Sequence, residues 1–200
     1  MVSRLRQSPG TFLILFLVLF LIAVPLLAGA DDSDRLIRAA GDLDGDGKAE
    51  EYLLSDETLT VREETQELWK SSPDWRVESF ALGDVDNDGK INLVISLWKK
   101  GSFDKIRPFW HTAEDVSYKN HLFVYEFQED TLKPVWCSSD LARPILSFAI
   151  RDINDDGLNE LVVEEGQYRK MAGDRYSPDP DGPVRSSVWQ WEEWGFRFIQ

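Results

Sequence analysis

The chain has 200 residues, one cysteine, 36 acidic and 22 basic side chains, and a formal net charge of −14. So acidic a chain is a poor partner for nucleic-acid phosphates, and a single cysteine permits no internal disulfide. The length suits one ordinary domain with a sizeable core beyond any leader.

Arg4 and Arg6 precede an apolar run over 12–24, followed by Pro25, the small-residue stretch Ala28-Gly29-Ala30 and then Asp31. This is the layout of a secretory signal peptide, and the run falls short of the roughly 20 residues a membrane span needs. The expectation is a leader over 1–30 and a domain over 31–200 delivered to an extracytoplasmic space (secreted, periplasmic or cell-surface). The alternative is an uncleaved anchor, in which case residues 11–30 alone meet the membrane.

Strand-like runs follow in three units, about 31–74, 75–143 and 144–200. The first holds runs at 35–40, 51–55, 58–63 and 66–70. The second holds 75–82, 92–98, 121–127 and 131–136, and the third 145–151, 160–165, 187–191 and 194–199. Several alternate apolar and polar residues as half-buried strands do, and Val188-Trp-Gln-Trp191 is rich in strand-favouring aromatics. The fold class read from this is all-β, with three four-stranded antiparallel units.

Between the first and second run of each unit stands one motif: Asp42-Leu-Asp-Gly-Asp-Gly-Lys-Ala-Glu50, Asp84-Val-Asp-Asn-Asp-Gly-Lys-Ile-Asn92 and Asp152-Ile-Asn-Asp-Asp-Gly-Leu-Asn-Glu160. Side-chain oxygens at positions 1, 3, 5 and 9 of a tight turn can face one point, and the residue at 7 can add its carbonyl. The candidate ligands are Asp42, Asp44, Asp46, Lys48 and Glu50; Asp84, Asp86, Asp88, Lys90 and Asn92; and Asp152, Asn154, Asp156, Leu158 and Glu160. An all-oxygen set with several carboxylates suits Ca²⁺ better than Mg²⁺, and zinc would require Cys or His. Up to three Ca²⁺ are expected. Glycine at position 6 (Gly47, Gly89, Gly157) allows a positive φ. Apolar residues at position 2 (Leu43, Val85, Ile153) are expected to point into a core. An EF-hand needs a bidentate Glu at position 12, where this chain has Leu53, Ile95 and Val163.

With Ser79-Phe-Ala-Leu-Gly-Asp84 and Ser147-Phe-Ala-Ile-Arg-Asp152 ahead of two of these loops, the pattern resembles the FG-GAP or VCBS-type repeat of integrin-α-like β-propellers and exported bacterial proteins. The resemblance covers most of the chain after residue 34. It implies β-propeller-like blades, with Ca²⁺ held between the first and second strands. The chain departs from it at Asn92 and Asn154, where carboxylates are usual, and at Glu50 and Glu160, where Asp is commoner. It also has Glu51 where an apolar residue is expected, and no aromatic ahead of the first loop. Three units allow a compact three-bladed ring, an open stack of three sheets, or half of a six-bladed ring completed as a homodimer; a compact monomer is the leading expectation.

In an up-and-down meander the second-to-third connections lie opposite the calcium loops. Two are long, 101–120 and 167–186, and long loops on a rigid frame are where binding usually sits. Arg107, Phe109, Trp110, His111, Tyr168 and Tyr176 are candidate contacts for a protein or polysaccharide partner. The bland reading is that these aromatics plug or cover the fold. His111, His121 and Cys137 show no metal spacing, and the acid pairs Glu63-Glu64, Glu164-Glu165 and Glu192-Glu193 read as solvated surface. The chain has no G-x-S-x-G, Walker or dinucleotide motif. A non-catalytic binding module is therefore expected. A glycan-processing enzyme on a propeller frame and a membrane-anchored structural or assembly component are the alternatives.

Overall fold

The computed structural model describes residues 36–102 and 116–200. The leader, its cleavage or anchoring, and the insert residues Arg107, Phe109, Trp110 and His111 lie outside the described residues.

No helix occurs among the described residues, which form fourteen strands. A first antiparallel sheet is built in chain order from β1 (Ile37–Gly41), β2 (Glu50–Ser55), β3 (Thr58–Glu63) and β4 (Gln66–Lys70). A second follows from β5 (Arg76–Gly83), β6 (Asn92–Lys100), β7 (Tyr118–Gln128) and β8 (Thr131–Cys137). β9 (Ile145–Arg151) and β10 (Glu160–Glu165) open the third sheet, which β13 (Arg185–Glu192) and β14 (Gly195–Phe198) complete.

Segment 167–186 differs from the loop expected of it, because β11 (Tyr168–Lys170) and β12 (Tyr176–Pro178) pair as a separate hairpin. Its return contains a turn at Asp179-Pro-Asp-Gly182, closed by Gly182 N–H to the Asp179 carbonyl at 3.2 Å. Insert 101–120 is likewise shorter than expected, since β6 runs through Lys100 and β7 starts at Tyr118, paired to each other. Two-residue turns join β2 to β3 at Asp56-Glu57 (φ 49° and 60°) and β7 to β8 at Glu129-Asp130 (φ 52° and 62°). Both residues at positive φ match the right-handed strand twist.

The core consists of two interfaces that share the second sheet. One side of β6 (Leu93, Ile95, Leu97) packs with Tyr52, Leu54, Leu59 and Val61 of the first sheet. Val94, on the other side, packs with Leu122, Val124, Ile145, Leu161 and Val163, the last three from the third sheet. β6 is thus buried on both faces, as its nearly unbroken apolar sequence requires. Neither cluster brings the first sheet onto the third.

The repeats are tuned to their place in this stack. Immediately before the loop stand Gly41 and Gly83, whose missing Cβ atoms leave room for Leu82 and Ile150 of the next sheet; the third sheet has Arg151 there, with no sheet following. At position 2, Leu43 and Val85 are buried against the following sheet, whereas Ile153 is 44 % exposed. Two of the three position-2 residues therefore point into a core, and Ile153 does not because its side of the stack ends. At position 10, Leu93 and Leu161 face the preceding sheet and are fully buried, while Glu51, with none before it, is exposed.

Candidate metal centres

Each acidic loop links the first two strands of its sheet, and position 9 opens the second strand. Glu50 pairs across the ladder with Gly41, Asn92 with Gly83 and Glu160 with Arg151. All three position-9 side chains are fully buried. One internal hydrogen-bond scheme recurs. The position-1 carboxylate accepts the position-6 glycine N–H: Asp42 from Gly47 at 3.0 Å, Asp84 from Gly89 at 3.0 Å, Asp152 from Gly157 at 2.8 Å. The position-5 carboxylates of Asp46, Asp88 and Asp156 each accept the position-7 N–H at 2.8 Å. Position 9 accepts the position-2 N–H, Leu43 to Glu50 at 2.8 Å, Val85 to Asn92 at 2.9 Å and Ile153 to Glu160 at 3.1 Å.

Gly47, Gly89 and Gly157 take φ of 90°, 90° and 86°, as position 6 requires. Position 4 is also left-handed, at Gly45 (78°), Asn87 (61°) and Asp155 (61°). Sequence reasoning passed over that position, although Gly, Asn and Asp are the residues that accept this conformation.

The first loop is the most complete cage. Oxygens of Asp42, Asp44 and Glu50 lie within 4.8 Å of one another, as do those of Asp44, Asp46 and Glu63. Glu50 spends Oε2 on Leu43 N–H and the more distant Tyr52 hydroxyl, at 3.4 Å. Its Oε1 is buried without a partner. Burial raises the Glu50 pKa and, among its neighbours, Asp44 and Asp42 add to the rise. A buried carboxylate oxygen with no donor is costly unless a cation meets it.

In the second loop Asp84, Asp86 and Asp88 converge within 4.8 Å. Asp84 Oδ1 is buried and unpartnered, and burial followed by the Asp88 charge raises the Asp86 pKa. Asn92 has only one side-chain oxygen, and Val85 N–H takes it; its amide nitrogen is turned toward Asp86 Oδ2 at 3.4 Å. Reversing the amide would set two donors face to face. In the third loop the Asn154 amide nitrogen donates to Asp156 Oδ2 at 3.0 Å and lies 3.4 Å from Glu160 Oε1. That loop carries its own internal donor where the first has an orphan oxygen.

Position 7 differs between loops in a matched way. Lys48 reaches Glu63 on β3 at 2.9 Å, and Lys90 approaches Glu126 on β7 at 3.9 Å. Leu158 is 43 % exposed, and Gln190 pairs with its neighbour Glu160.

At the opposite end of the second sheet lies an open recess of about 440 Å³, lined by Lys100, Val116, Tyr118, Asp174 and Arg175. Arg175 covers the Tyr118 ring at 4.5 Å, and Tyr118 stacks on Trp98 at 6.3 Å. Tyr168 and Tyr176 face each other across the β11–β12 hairpin at 5.7 Å, with the Lys119 ammonium over both rings. The Tyr168 hydroxyl is already committed: it donates to the Leu141 carbonyl at 3.1 Å and accepts Asn120 N–H at 3.3 Å. Tyr168 therefore pins the hairpin to the second sheet, the bland role weighed for the insert aromatics.

Asp140 accepts the Ser117 hydroxyl and binds Ser102, whose hydroxyl lies 3.1 Å away. Lys119 Nζ and His121 Nε2 are 3.6 Å and 3.4 Å from it. Burial works to raise the Asp140 pKa, but His121, Ser117 and Ser102 outweigh it and hold it at about 2. His121 is fully buried, its Nδ1 lying 3.2 Å from the Ser138 carbonyl, which suits a packing role better than a zinc ligand. Glu165 corrects the solvated-surface reading of the acid pairs: it is 5 % exposed and bound to Arg185 at 2.7 Å.

No protein-family model matches the chain, and a search of curated proteins finds no match.

Proposed function

We propose that the chain is an exported, calcium-stabilised, non-catalytic binding module, its three sheets acting as propeller-type blades stacked in a row, with its partner engaged at the end away from the acidic loops. The observation that carries the metal assignment is the pair of buried, partnerless carboxylate oxygens, Glu50 Oε1 and Asp84 Oδ1, each set among other acids in an otherwise satisfied turn. Asp42, Asp44, Asp46 and Glu50 would hold the first ion, and Asp84, Asp86 and Asp88 the second. Asp152, Asp156 and Glu160 would hold the third once the Asn154 amide turns its oxygen inward. Bound Ca²⁺ supplies positive charge that offsets the repulsion of crowded carboxylates; the residues themselves set the turn between two strands. Extracytoplasmic modules commonly work with dissociation constants on the order of 10⁻⁴ to 10⁻³ M, which fits the leader-like start of the chain.

For the partner, the described residues of the recess offer two cations, Lys100 and Arg175, a tyrosine face and the acid Asp174. Aromatic and cationic side chains side by side on an open surface support binding of a protein or polysaccharide there.

Thermal unfolding of the full chain tests the metal assignment. Calcium at 100 times its dissociation constant should add about 2.7 kcal/mol per site, seen as a melting temperature that rises with calcium and falls with chelator. Indifference to both would sink the proposal.

A further inference from the structure

Among the described residues, hydrogen bonds join the second and third loops, and none joins the first loop to either. Asn159, at position 8 of the third loop, donates its backbone N–H to Asn87 Oδ1 at 2.7 Å. Asn87, at position 4 of the second loop, returns its amide nitrogen to the Asn159 carbonyl at 3.1 Å. The Asn159 side chain then donates to the backbone carbonyl of Asp84 at 2.8 Å. Asp84 is the first acid of the second cage and carries the buried, partnerless oxygen. The third loop therefore fixes the backbone from which a ligand of the second cage projects.

The corresponding positions between the first and second loops are Gly45 and Ile91. Glycine has no side chain to reach the backbone of the next loop, and the isoleucine side chain has no polar atom to reach back. Asn87 holds a positive φ of 61° while doing so, a conformation that asparagine and glycine tolerate and most residues resist.

We infer that Asn159 is a positioning residue for the second cation site, supplied by the third loop, so that these two sites fill as a coupled pair while the first fills alone. This rests on the reading of the loops as calcium sites. Order imposed on either loop lowers the cost of ordering the other, which is the general basis of positive coupling without a change of fold.

The test is a calcium titration of the full chain followed by NMR at the amides of Gly47, Gly89 and Gly157. Each of these donates to the position-1 carboxylate of its own loop and so reports one site. The variants are Asn87→Gly and Asn159→Ala, which copy the first loop's own Gly45 and Ala49 and leave the turn without strain. In the wild type, Gly89 and Gly157 should move together along one steep curve. In either variant that curve should separate into two, with the Gly89 transition weakened by roughly fivefold or more. Gly47 should be unmoved, a control that a general loss of structure would not pass. Asn87→Gly removes the two bonds to the Asn159 backbone and Asn159→Ala the one to the Asp84 carbonyl, so the double variant should weaken the Gly89 transition at least as much as either single one. Three independent transitions in the wild type, or a Gly89 transition within twofold of wild type in both variants, would overturn the pairing alone. No response to calcium at any of the three glycines would overturn the calcium reading and the pairing with it.

Discussion

Asp140 joins Ser102 to Ser117, with Lys119 Nζ and His121 Nε2 close to its carboxylate. Its carboxyl is held at about 2 against an ordinary 3.8. A folded-state value below the unfolded one means the unfolded chain binds the proton more readily, so this stabilisation is present above about pH 4 and is lost as pH falls from there toward 2. Urea unfolding at pH 6, 4 and 2.5 should show Asp140→Asn less stable than wild type by about 1–3 kcal/mol at pH 6, with the gap closing on acidification. A gap that stays constant across that range would contradict the role assigned to Asp140. Asn92 allows a second test at this scale. Its only side-chain oxygen is held by Val85 N–H, whereas Glu50 in the same place keeps one oxygen free. Asn92→Glu should bind calcium at the second loop roughly three- to tenfold more tightly, because an added carboxylate ligand raises affinity. Without calcium the variant should melt below wild type, since its new buried oxygen would have no donor. Calorimetry with and without chelator distinguishes the two arms.

Among the elements, the hairpin turns carry measurable strain. Glu129 and Asp130 both sit at positive φ between β7 and β8, where Asn-Gly would be the favoured pair. Asp130→Gly should raise stability by about 0.5–1 kcal/mol, read as a higher urea midpoint with an unchanged slope; a lower midpoint would show that Asp130 makes a contribution the turn geometry does not reveal. The β11–β12 hairpin escaped sequence reading for a related reason. Each strand has only three residues, too few for a period-2 pattern to show. What holds the hairpin is tertiary: Tyr168 against Trp98 at 5.9 Å and its hydroxyl on Leu141. By contrast β3, β4, β9 and β10 run over the residues expected of them, because turn residues and metal-type loops bound them closely on both sides.

For the whole molecule, the order of the three sheets is written into residues that depart from the repeat. Glu51 and Leu161 hold the same repeat position, one on an outer face and the other fully buried between sheets. Leu161→Glu should therefore cost more than about 4 kcal/mol, the scale of an unpaired charge forced into a core, and leave the chain unfolded at room temperature. Glu51→Leu should change stability by less than about 0.5 kcal/mol. Circular dichroism melts of the two variants compare them directly, and equal losses would mean the stack has no end at the first sheet. The same logic explains why Arg151 stands where Gly41 and Gly83 occur: a side chain is tolerated only where no following sheet needs the space.

The sequence by itself determined the all-β class, the three meanders and the placement of an acidic turn between the first two strands of each, because those features depend on local spacing: alternation, left-handed glycines and oxygens at fixed intervals. It also held the signs of a first and a last sheet, in Glu51, Arg151 and Ile153, but these acquire meaning only once the neighbouring sheets are in place. The tertiary structure alone decided that Asn92 turns a nitrogen toward Asp86 and that Tyr168 is consumed in packing. It alone decided, too, that Asn159 reaches across to the loop of Asn87 and Asp84. Each of these depends on which donor lies within about 3 Å of which acceptor, and no linear spacing encodes that distance between residues some seventy positions apart.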